Sequence, residues 1–153
     1  MRSDSPDAIR SLTRDDFAVL TPVTTRWSDN DMYGHLNNAV YYELFDAAIN
    51  AWLGNQAELS FTSTPVIGVV AESGCRFFAE TAFPGELTVA FRVAHIGSSS
   101  VVYELGVFDS AEPSEDALST AAGRWVHVYI DRARHISVPI PGALRAALEG
   151  VAG

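Results

Sequence analysis

The sequence predicts one α+β domain, in which a long helix packs against an antiparallel sheet of five strands. A stretch of helical periodicity covers about residues 37–53, and strand-like stretches stand before and after it. The stretches after the helix follow one another with only short, turn-rich connections. This order of one strand, one helix and four strands is not the alternation of strands and helices that builds a parallel doubly wound sheet.

The long helix is indicated by two rows of apolar residues, each repeating every four positions. The rows are broad enough for a deeply buried helix, and they consist of Leu36, Val40, Leu44, Ala48 and Trp52, and of Tyr41, Phe45 and Ile49. Asn37 or Asn38 suits the N-cap, because its side-chain oxygen can accept a hydrogen bond from the first free backbone N–H groups. Gly54 suits the C-cap.

The strands are indicated by β-branched and alternating segments bounded by turn residues. They are expected at about residues 17–27, 65–78, 86–96, 101–109 and 121–131, and a short tail helix follows at 142–148. Pro22 favours an edge or a bulge in the first strand, and Gly74 a bulge or a close backbone approach in the second. The last two strands are apolar on both faces, which predicts that another subunit packs there, in a homodimer or homotetramer.

Composition limits the class of protein. With 153 residues the chain fits one domain, expected at residues 16–153 after a flexible lead-in of residues 1–15. It has no apolar run of membrane-spanning length and no signal-peptide segment at its start, so we expect a cytoplasmic protein without membrane contact. The single cysteine, Cys75, fits a reducing compartment. A net charge of −9 argues against nucleic-acid binding.

A dense group of polar residues stands just before the long helix. Asp29, Asp31, Gly34 and His35 lie within nine residues of its start. A helix N-terminus presents unpaired N–H groups and a partial positive charge. Together with a carboxylate and an imidazole, these donors suit the stabilisation of an oxyanion formed from a carbonyl. The same residue types are also typical of caps and turns, and spacing alone leaves that alternative open.

The run RWSDNDMYGHLNNAVYYELFD resembles the signature of the hotdog-fold acyl-CoA thioesterases of the hydroxybenzoyl-CoA thioesterase type. That signature reads R-[WFY]-x-D-x-D-x-x-G-H-[VL]-N-N-x-x-Y. The matching positions are Arg26, Asp29, Asp31, Gly34, His35, Asn37, Asn38 and Tyr41. The resemblance implies a hotdog fold, in which a five-stranded antiparallel sheet wraps one long central helix. It also implies that Asp31 is the catalytic carboxylate and that the active site lies between subunits.

The resemblance implies hydrolysis of an acyl thioester carried by coenzyme A or by an acyl-carrier protein. Asp31 would attack the carbonyl carbon or deprotonate a water, and backbone N–H groups near residues 34–36 would polarise the carbonyl. His35 and Asn37 would orient the loop or the substrate, so the expected catalytic residues are Asp31, Gly34, His35 and Asn37. The expected substrate-binding residues are Tyr33, Asn38, Tyr41, Glu72, Ser73 and Arg76. No cofactor is expected besides the coenzyme A of the substrate.

Other sites and activities are less well supported by the residues. The histidines and Cys75 lack metal-ligand spacing, and there is no G-x-S-x-G nucleophile elbow. Glu43 and Asp46 on the helix are further carboxylates, for which a solvated or interfacial position is the simpler interpretation. Two alternatives stay open: a non-catalytic acyl-binding module, and an enoyl-CoA hydratase. The hydratase signature resembles G-D-x-N-P-x-H, but here the Asp-to-His spacing is four and the proline is missing.

Overall fold

The computed structural model of the chain describes residues 9–56 and 63–153. It contains the five strands and two helices that the sequence predicts, with ends that differ by at most three residues. The elements are β1 (Val19–Thr24), α1 (Asn38–Gly54), β2 (Val66–Phe77), β3 (Glu86–Ile96), β4 (Ser100–Asp109), β5 (Ala121–Asp131) and α2 (Gly142–Glu149). The sequence predicts a polar connection at residues 54–64, and residues 57–62 of it lie outside the described part. Within that part, no helix is long and apolar enough to cross a membrane.

The five strands form one antiparallel sheet in the order β1-β3-β4-β5-β2. Among the described residues β1 pairs with β3 alone, so it is an edge strand, one of the two positions that Pro22 favours. Proline lacks the backbone N–H that a central strand donates to its neighbours. On an edge strand that position can face away from the neighbouring strand, so no hydrogen bond of the sheet is lost. The other edge is β2, which has 12 residues. It pairs with β5 on one side, and within residues 9–56 and 63–153 no strand pairs with its other side.

Helix α1 lies on one face of the sheet, and its buried stripe is centred differently from the prediction. Its buried residues are the row Tyr41, Phe45 and Ile49, extended by Leu53, together with Ala48 of the other row. The residues Val40, Leu44 and Trp52 of the other row are only partly buried. Asn37 is the N-cap, and its side-chain oxygen accepts from the Ala39 N–H at 2.9 Å. The expected C-cap at Gly54 is wrong: the helix includes Gly54 and is capped by Asn55.

The predicted irregularity of β2 is present but lies elsewhere. The register with β5 shifts between Val70 and Glu72, whereas Gly74 pairs regularly with Arg124. A Cβ at Gly74 would meet nothing within 4 Å, so that glycine provides no close approach either. The close approach is at Gly123 of β5, where a Cβ would stand 2.6 Å from Cε2 of Phe45. The absence of a side chain at Gly123 thus lets α1 pack directly onto the sheet.

The face of the sheet opposite α1 is partly covered by the chain itself. Phe17 and Ile9 pack there against Ala90, Phe108 and Ala122 in a second apolar cluster. Phe108 of β4 and Ala122 of β5 therefore have a partner within the subunit. Further along the same face Val126, Val128 and Ile130 of β5 are only half-buried, and packing of another subunit there stays a prediction. Ile9 belongs to the expected lead-in, and this part of it is buried. Residues 1–8 lie outside the described part.

His127 is buried on the face of β5 that α1 covers. Its exposed fraction is 2%, and its Nδ1 has no hydrogen-bond partner among the described residues. The centroid of its ring lies 5.3 Å from the centroid of the Tyr103 ring. Burial lowers the pKa of His127 below its ordinary value, and the carboxylate of Asp46 on α1 opposes this only in part. Folding therefore favours the neutral imidazole.

We expect His127 to make the fold less stable in mild acid. Because its folded pKa lies below the unfolded value of about 6.5, its full stabilising contribution is present above that value. The contribution is lost as the pH falls toward the folded pKa, where the unfolded chain binds the additional proton. Thermal unfolding at pH 8 and pH 5.5 measures this loss. The fall in unfolding temperature from pH 8 to pH 5.5 should be smaller in His127→Gln than in the wild type. It should persist in His95→Gln, a variant at an exposed histidine. Equal falls in all three proteins would contradict the role of His127.

Candidate active site

The polar residues before α1 form a loop at residues 29–37, here called the Asp31 loop, and its first residue is fixed by an arginine. Asp29 is 3% exposed. Its Oδ1 accepts from Nε and Nη2 of Arg26 at 3.0 and 2.8 Å, and its Oδ2 accepts from the Arg26 backbone N–H at 2.7 Å. These charge-assisted bonds use both oxygens of the carboxylate. The first aspartate of the D-x-D motif therefore holds the loop in place.

The second aspartate, Asp31, is half-buried and has an uncommitted oxygen. Its Oδ1 accepts from the Tyr33 N–H at 2.9 Å, which closes a tight turn ahead of Gly34. Gly34 follows with a φ of 85°, a conformation that side chains disfavour. The Oδ2 of Asp31 has no donor in the described part of the chain. Of the two aspartates, only Asp31 thus retains an oxygen that is available to a ligand.

Asp31 lines a groove of about 580 Å³, here called the Asp31 groove. One wall consists of the loop and the first turns of α1, including Tyr33, His35, Asn38 and Tyr41. The opposite wall is the end of β2 and the segment of residues 78–83 that follows it. The predicted residues Asp31, Tyr33, His35, Asn38 and Tyr41 are therefore brought together. Gly34 borders a second recess on the other side of Asp31, and Asn37 caps the helix.

The 78–83 segment is joined to the Asp31 loop by several hydrogen bonds. The Leu36 N–H donates to the Thr81 carbonyl at 2.8 Å. The side-chain amide of Asn30 donates to the Phe83 carbonyl and accepts from the Phe83 N–H, at 3.1 and 2.9 Å. His35 Nε2 lies 2.9 Å from a carboxylate oxygen of Glu80. This network fixes the two walls of the groove relative to each other.

The backbone N–H groups of the loop divide into used and unused donors. Gly34 and Leu36 donate to the carbonyls of Asp31 and Thr81, so they are not available to a ligand. The N–H groups of His35 and Asn38 have no acceptor within the described residues. Asn38 is the first residue of α1, where the helix offers no acceptor of its own. Of the backbone N–H groups of residues 34–36, which were expected to polarise the carbonyl, only that of His35 is unused within the described residues. The N–H group of Asn38 is a second unused donor.

Two hydroxyl groups meet on the groove wall. The Tyr41 hydroxyl lies 2.6 Å from the Thr81 hydroxyl, and both residues are buried. The Tyr41 ring also contacts Phe77 edge-on, with ring centroids 5.0 Å apart. Burial raises the pKa of Tyr41 more than its hydrogen bond with Thr81 lowers it, so the phenol is neutral at pH 7. The wall thus combines an aromatic surface with neutral hydroxyls.

Cys75 lies two residues before Phe77 on β2 and packs at the edge of the main core. Burial raises the pKa of its thiol to about 12. The nucleophilic form of cysteine is the thiolate, which is scarce at neutral pH with such a pKa. The side chain is therefore a small apolar packing group. Among the residues described, no group of three or more His, Cys, Asp and Glu side chains is arranged to hold a metal ion.

The other predicted substrate-binding residues lie away from the Asp31 groove of the same chain. Glu72 and Arg76 line a separate recess of about 270 Å³, where Glu72 accepts from Nε of Arg124 at 3.2 Å. Ser73 is exposed opposite Trp125, near the middle of the free edge strand. A contribution of these residues to the groove would require a second subunit, and their role stays a prediction.

Thr81 lines the Asp31 groove but is not among the site residues predicted from the sequence. It stands in FFAETAFPG, a segment without a recognisable motif. Its two partners, Leu36 and Tyr41, are 45 and 40 positions away in the sequence. The only local signal was the polar character of residues 80 and 81 between two apolar segments.

Residues 25–148 match the thioesterase-like superfamily, and the chain belongs to this family. Membership confirms the hotdog fold and the enzyme class, thioester hydrolase, that the sequence predicts. The matched region contains the Asp31 loop, α1 and every strand of the sheet except β1.

Three similar proteins illustrate the relationship. The PA5185 protein from Pseudomonas aeruginosa strain PAO1, a crystal structure, is 41% identical, and the match covers 92% of this chain and 96% of that one with a TM-score of 0.86. A thioesterase from Thermus thermophilus, solved in complex with coenzyme A and Zn, is 25% identical, with coverages of 86% and 98% and a TM-score of 0.70. Uncharacterized protein YsmA of Bacillus subtilis (strain 168) is 30% identical over 101 residues. That match spans 63% of this chain and 66% of YsmA, slightly less than two thirds of its length.

Proposed function

We propose that the protein hydrolyses acyl-CoA thioesters in the Asp31 groove. The observation that supports this most strongly is the uncommitted carboxylate oxygen of Asp31, in the same groove as residues with unused backbone N–H groups. Thioester hydrolysis needs a group that delivers the nucleophile and donors that stabilise the oxyanion. Asp29 cannot deliver a nucleophile in this arrangement, because both its oxygens are bound by Arg26.

In the proposed mechanism the thioester carbonyl accepts hydrogen bonds from the N–H groups of Asn38 and His35. The partial positive charge at the N-terminus of α1 adds to this stabilisation. Asp31 then either attacks the carbonyl carbon, expelling the thiolate and leaving a mixed anhydride that water hydrolyses, or deprotonates a water that adds to the carbonyl. Both routes end with the free acid and the thiol. His35, held by Glu80, orients the loop.

Coenzyme A is the proposed carrier, and one similar structure was solved with coenzyme A bound. Tyr33, Asn38 and Tyr41 would contact the acyl-pantetheine part, because they line the Asp31 groove. The groove is also lined by two carboxylates, Asp31 and Glu80. The phosphates of coenzyme A are therefore expected outside it, where Arg76 of a second subunit would bind them through charge-assisted contacts. An acyl-carrier protein is the alternative carrier.

A homo-oligomer, dimer or tetramer, is part of this proposal. β2 is a long edge strand, and Val70 and Phe77 on it are 46% and 44% exposed. A long, apolar and unpaired edge strand favours pairing with another chain. Pairing of this edge between two copies would bring Ser73 of each to the junction, which accords with a site shared between subunits.

The test is release of free thiol from a panel of short, long and aromatic acyl-CoAs by the wild-type protein. Thiol release with stoichiometric free acid, detected by mass spectrometry, is expected for at least one ester. The readout must be corrected for Cys75, which can react with a thiol dye. Turnover restricted to acyl-carrier-protein thioesters would overturn the choice of carrier but retain the enzyme class.

The remaining alternatives give different results in the same experiment. A hydratase would remove the enoyl absorbance of crotonyl-CoA without releasing thiol. A binding module would be stabilised against unfolding by acyl-CoA without any turnover. Either result would replace the proposed function.

A further inference from the structure

Thr81 contacts both the Asp31 loop and α1, the two elements that together form one wall of the Asp31 groove. The residue is 4% exposed and lies in the 78–83 segment. Its backbone carbonyl accepts from the Leu36 N–H at 2.8 Å, and its hydroxyl lies 2.6 Å from the Tyr41 hydroxyl. One contact thus goes to the Asp31 loop and the other to α1. Thr81 therefore joins the two parts of the wall that the predicted site residues occupy.

The carbonyl contact restrains the backbone between the unused donors. Leu36 donates to Thr81, and Asn37 donates to the carbonyl of Asp29 at 2.9 Å. These two consecutive N–H groups are thereby fixed, and the unused N–H groups of His35 and Asn38 are the next ones on either side. The backbone between them cannot rotate freely without breaking one of the two bonds. The Thr81 carbonyl therefore helps to fix the backbone that carries the two free donors.

The hydrogen bond between the hydroxyls of Thr81 and Tyr41 holds the first turn of α1 against the 78–83 segment. A pair of hydroxyls that shares one hydrogen bond keeps one further hydrogen for another acceptor. Because both oxygens are buried at the groove wall, losing either hydroxyl leaves the other without its described partner. A buried hydroxyl without a partner is unfavourable, so Tyr41 would reorient or admit water. Either change alters the wall one helical turn from Asn38.

We propose that Thr81 is a positioning residue for thioester hydrolysis, holding the Asp31 loop and Tyr41 in the geometry that the reaction needs. The inference rests on the proposed function, since it concerns the same groove. Thr81 acts through Leu36 and Tyr41 and is not assigned contact with the reacting atoms. It adds to the site a residue that the motif before α1 does not contain.

The test compares Thr81→Val with Thr81→Ser on the best acyl-CoA found for the wild type. Valine has nearly the same shape as threonine but lacks the hydroxyl, whereas serine keeps it. We expect kcat to fall about tenfold in Thr81→Val with KM nearly unchanged, and Thr81→Ser to retain most of the activity. The matched control is Thr25→Val: Thr25 is 5% exposed, and its hydroxyl donates to the Gly85 carbonyl at 2.7 Å, outside the groove. That variant should lose stability but keep the wild-type kcat.

A double-mutant comparison separates positioning from a general loss of stability. Tyr41→Phe removes the same hydrogen bond from the helix side and should lower kcat to a similar extent. The double variant Tyr41→Phe, Thr81→Val should be no worse than the poorer single variant, because the shared bond is lost only once. If Thr81→Val does not fold, the comparison uses Tyr41→Phe, which removes the hydrogen bond between the two hydroxyls, and Thr81→Ser, which keeps it.

Wild-type kcat in Thr81→Val, or losses that multiply in the double variant, would overturn the inference and leave the proposed function intact. The absence of any turnover by the wild type on CoA and carrier-protein thioesters would overturn the proposed function first, and the role of Thr81 with it. An equal fall of kcat in Thr25→Val would also overturn the inference, since it would reflect general destabilisation.

Discussion

Replacing Asp31 with asparagine is expected to lower kcat by about 10²- to 10⁴-fold, the range typical of a lost general base. Asparagine keeps an Oδ1 acceptor for the Tyr33 N–H, so the turn of the loop should survive. It lacks the negative charge that a nucleophile or base requires. The loss should therefore appear in kcat, with KM and the thermal unfolding temperature close to those of the wild type.

Asp46→Asn is the matched control for Asp31→Asn. Asp46 is a partly buried carboxylate on α1, and its Oδ1 accepts from the Asn50 side chain at 3.1 Å. It is not among the residues that line the Asp31 groove. We expect Asp46→Asn to retain kcat within a few-fold. A collapse of activity in Asp46→Asn with activity preserved in Asp31→Asn would move the catalytic carboxylate to the helix.

Replacing Phe45 with alanine is expected to cost about 3–5 kcal/mol of unfolding free energy. Phe45 is fully buried at the centre of the α1–sheet contact, with its ring 6.2 Å from that of Trp125 and directly above Gly123. The glycine cannot fill the cavity that the ring would leave. Denaturation by urea measures the loss. Leu20→Ala, at an exposed position on β1, should cost less than about 1 kcal/mol, and equal losses in the two variants would contradict the packing described.

Local periodicity was sufficient to predict the helices and strands. The four-residue repeats identify α1 because buried positions on a helix recur with its turn, and the alternation of Leu87, Val89 and Phe91 identifies the buried face of β3. The details that failed depend on partners elsewhere in the chain. The buried stripe of α1 is centred on Phe45 because Gly123, 78 positions later, leaves room for its ring.

The site was predictable to a smaller extent. The motif identifies Asp31 and the start of α1, but it contains two aspartates of the same type. Their different environments arise from the hydrogen bonds of Arg26 to Asp29. Which N–H groups remain unused depends on Thr81, far away in the sequence. The covering of the outer face by Ile9 was also missed, because isolated apolar residues in a polar segment show no periodicity.

The most direct measurement is a structure of the protein with a non-hydrolysable acyl-CoA analogue, in which a ketone replaces the thioester. The proposed mechanism predicts that the ketone oxygen lies about 2.7–3.1 Å from the backbone nitrogens of Asn38 and His35. Asp31 should face the carbonyl carbon directly or through one water. An analogue bound with its carbonyl away from Asp31, for example in the recess between Glu72 and Arg124, would contradict the proposed site.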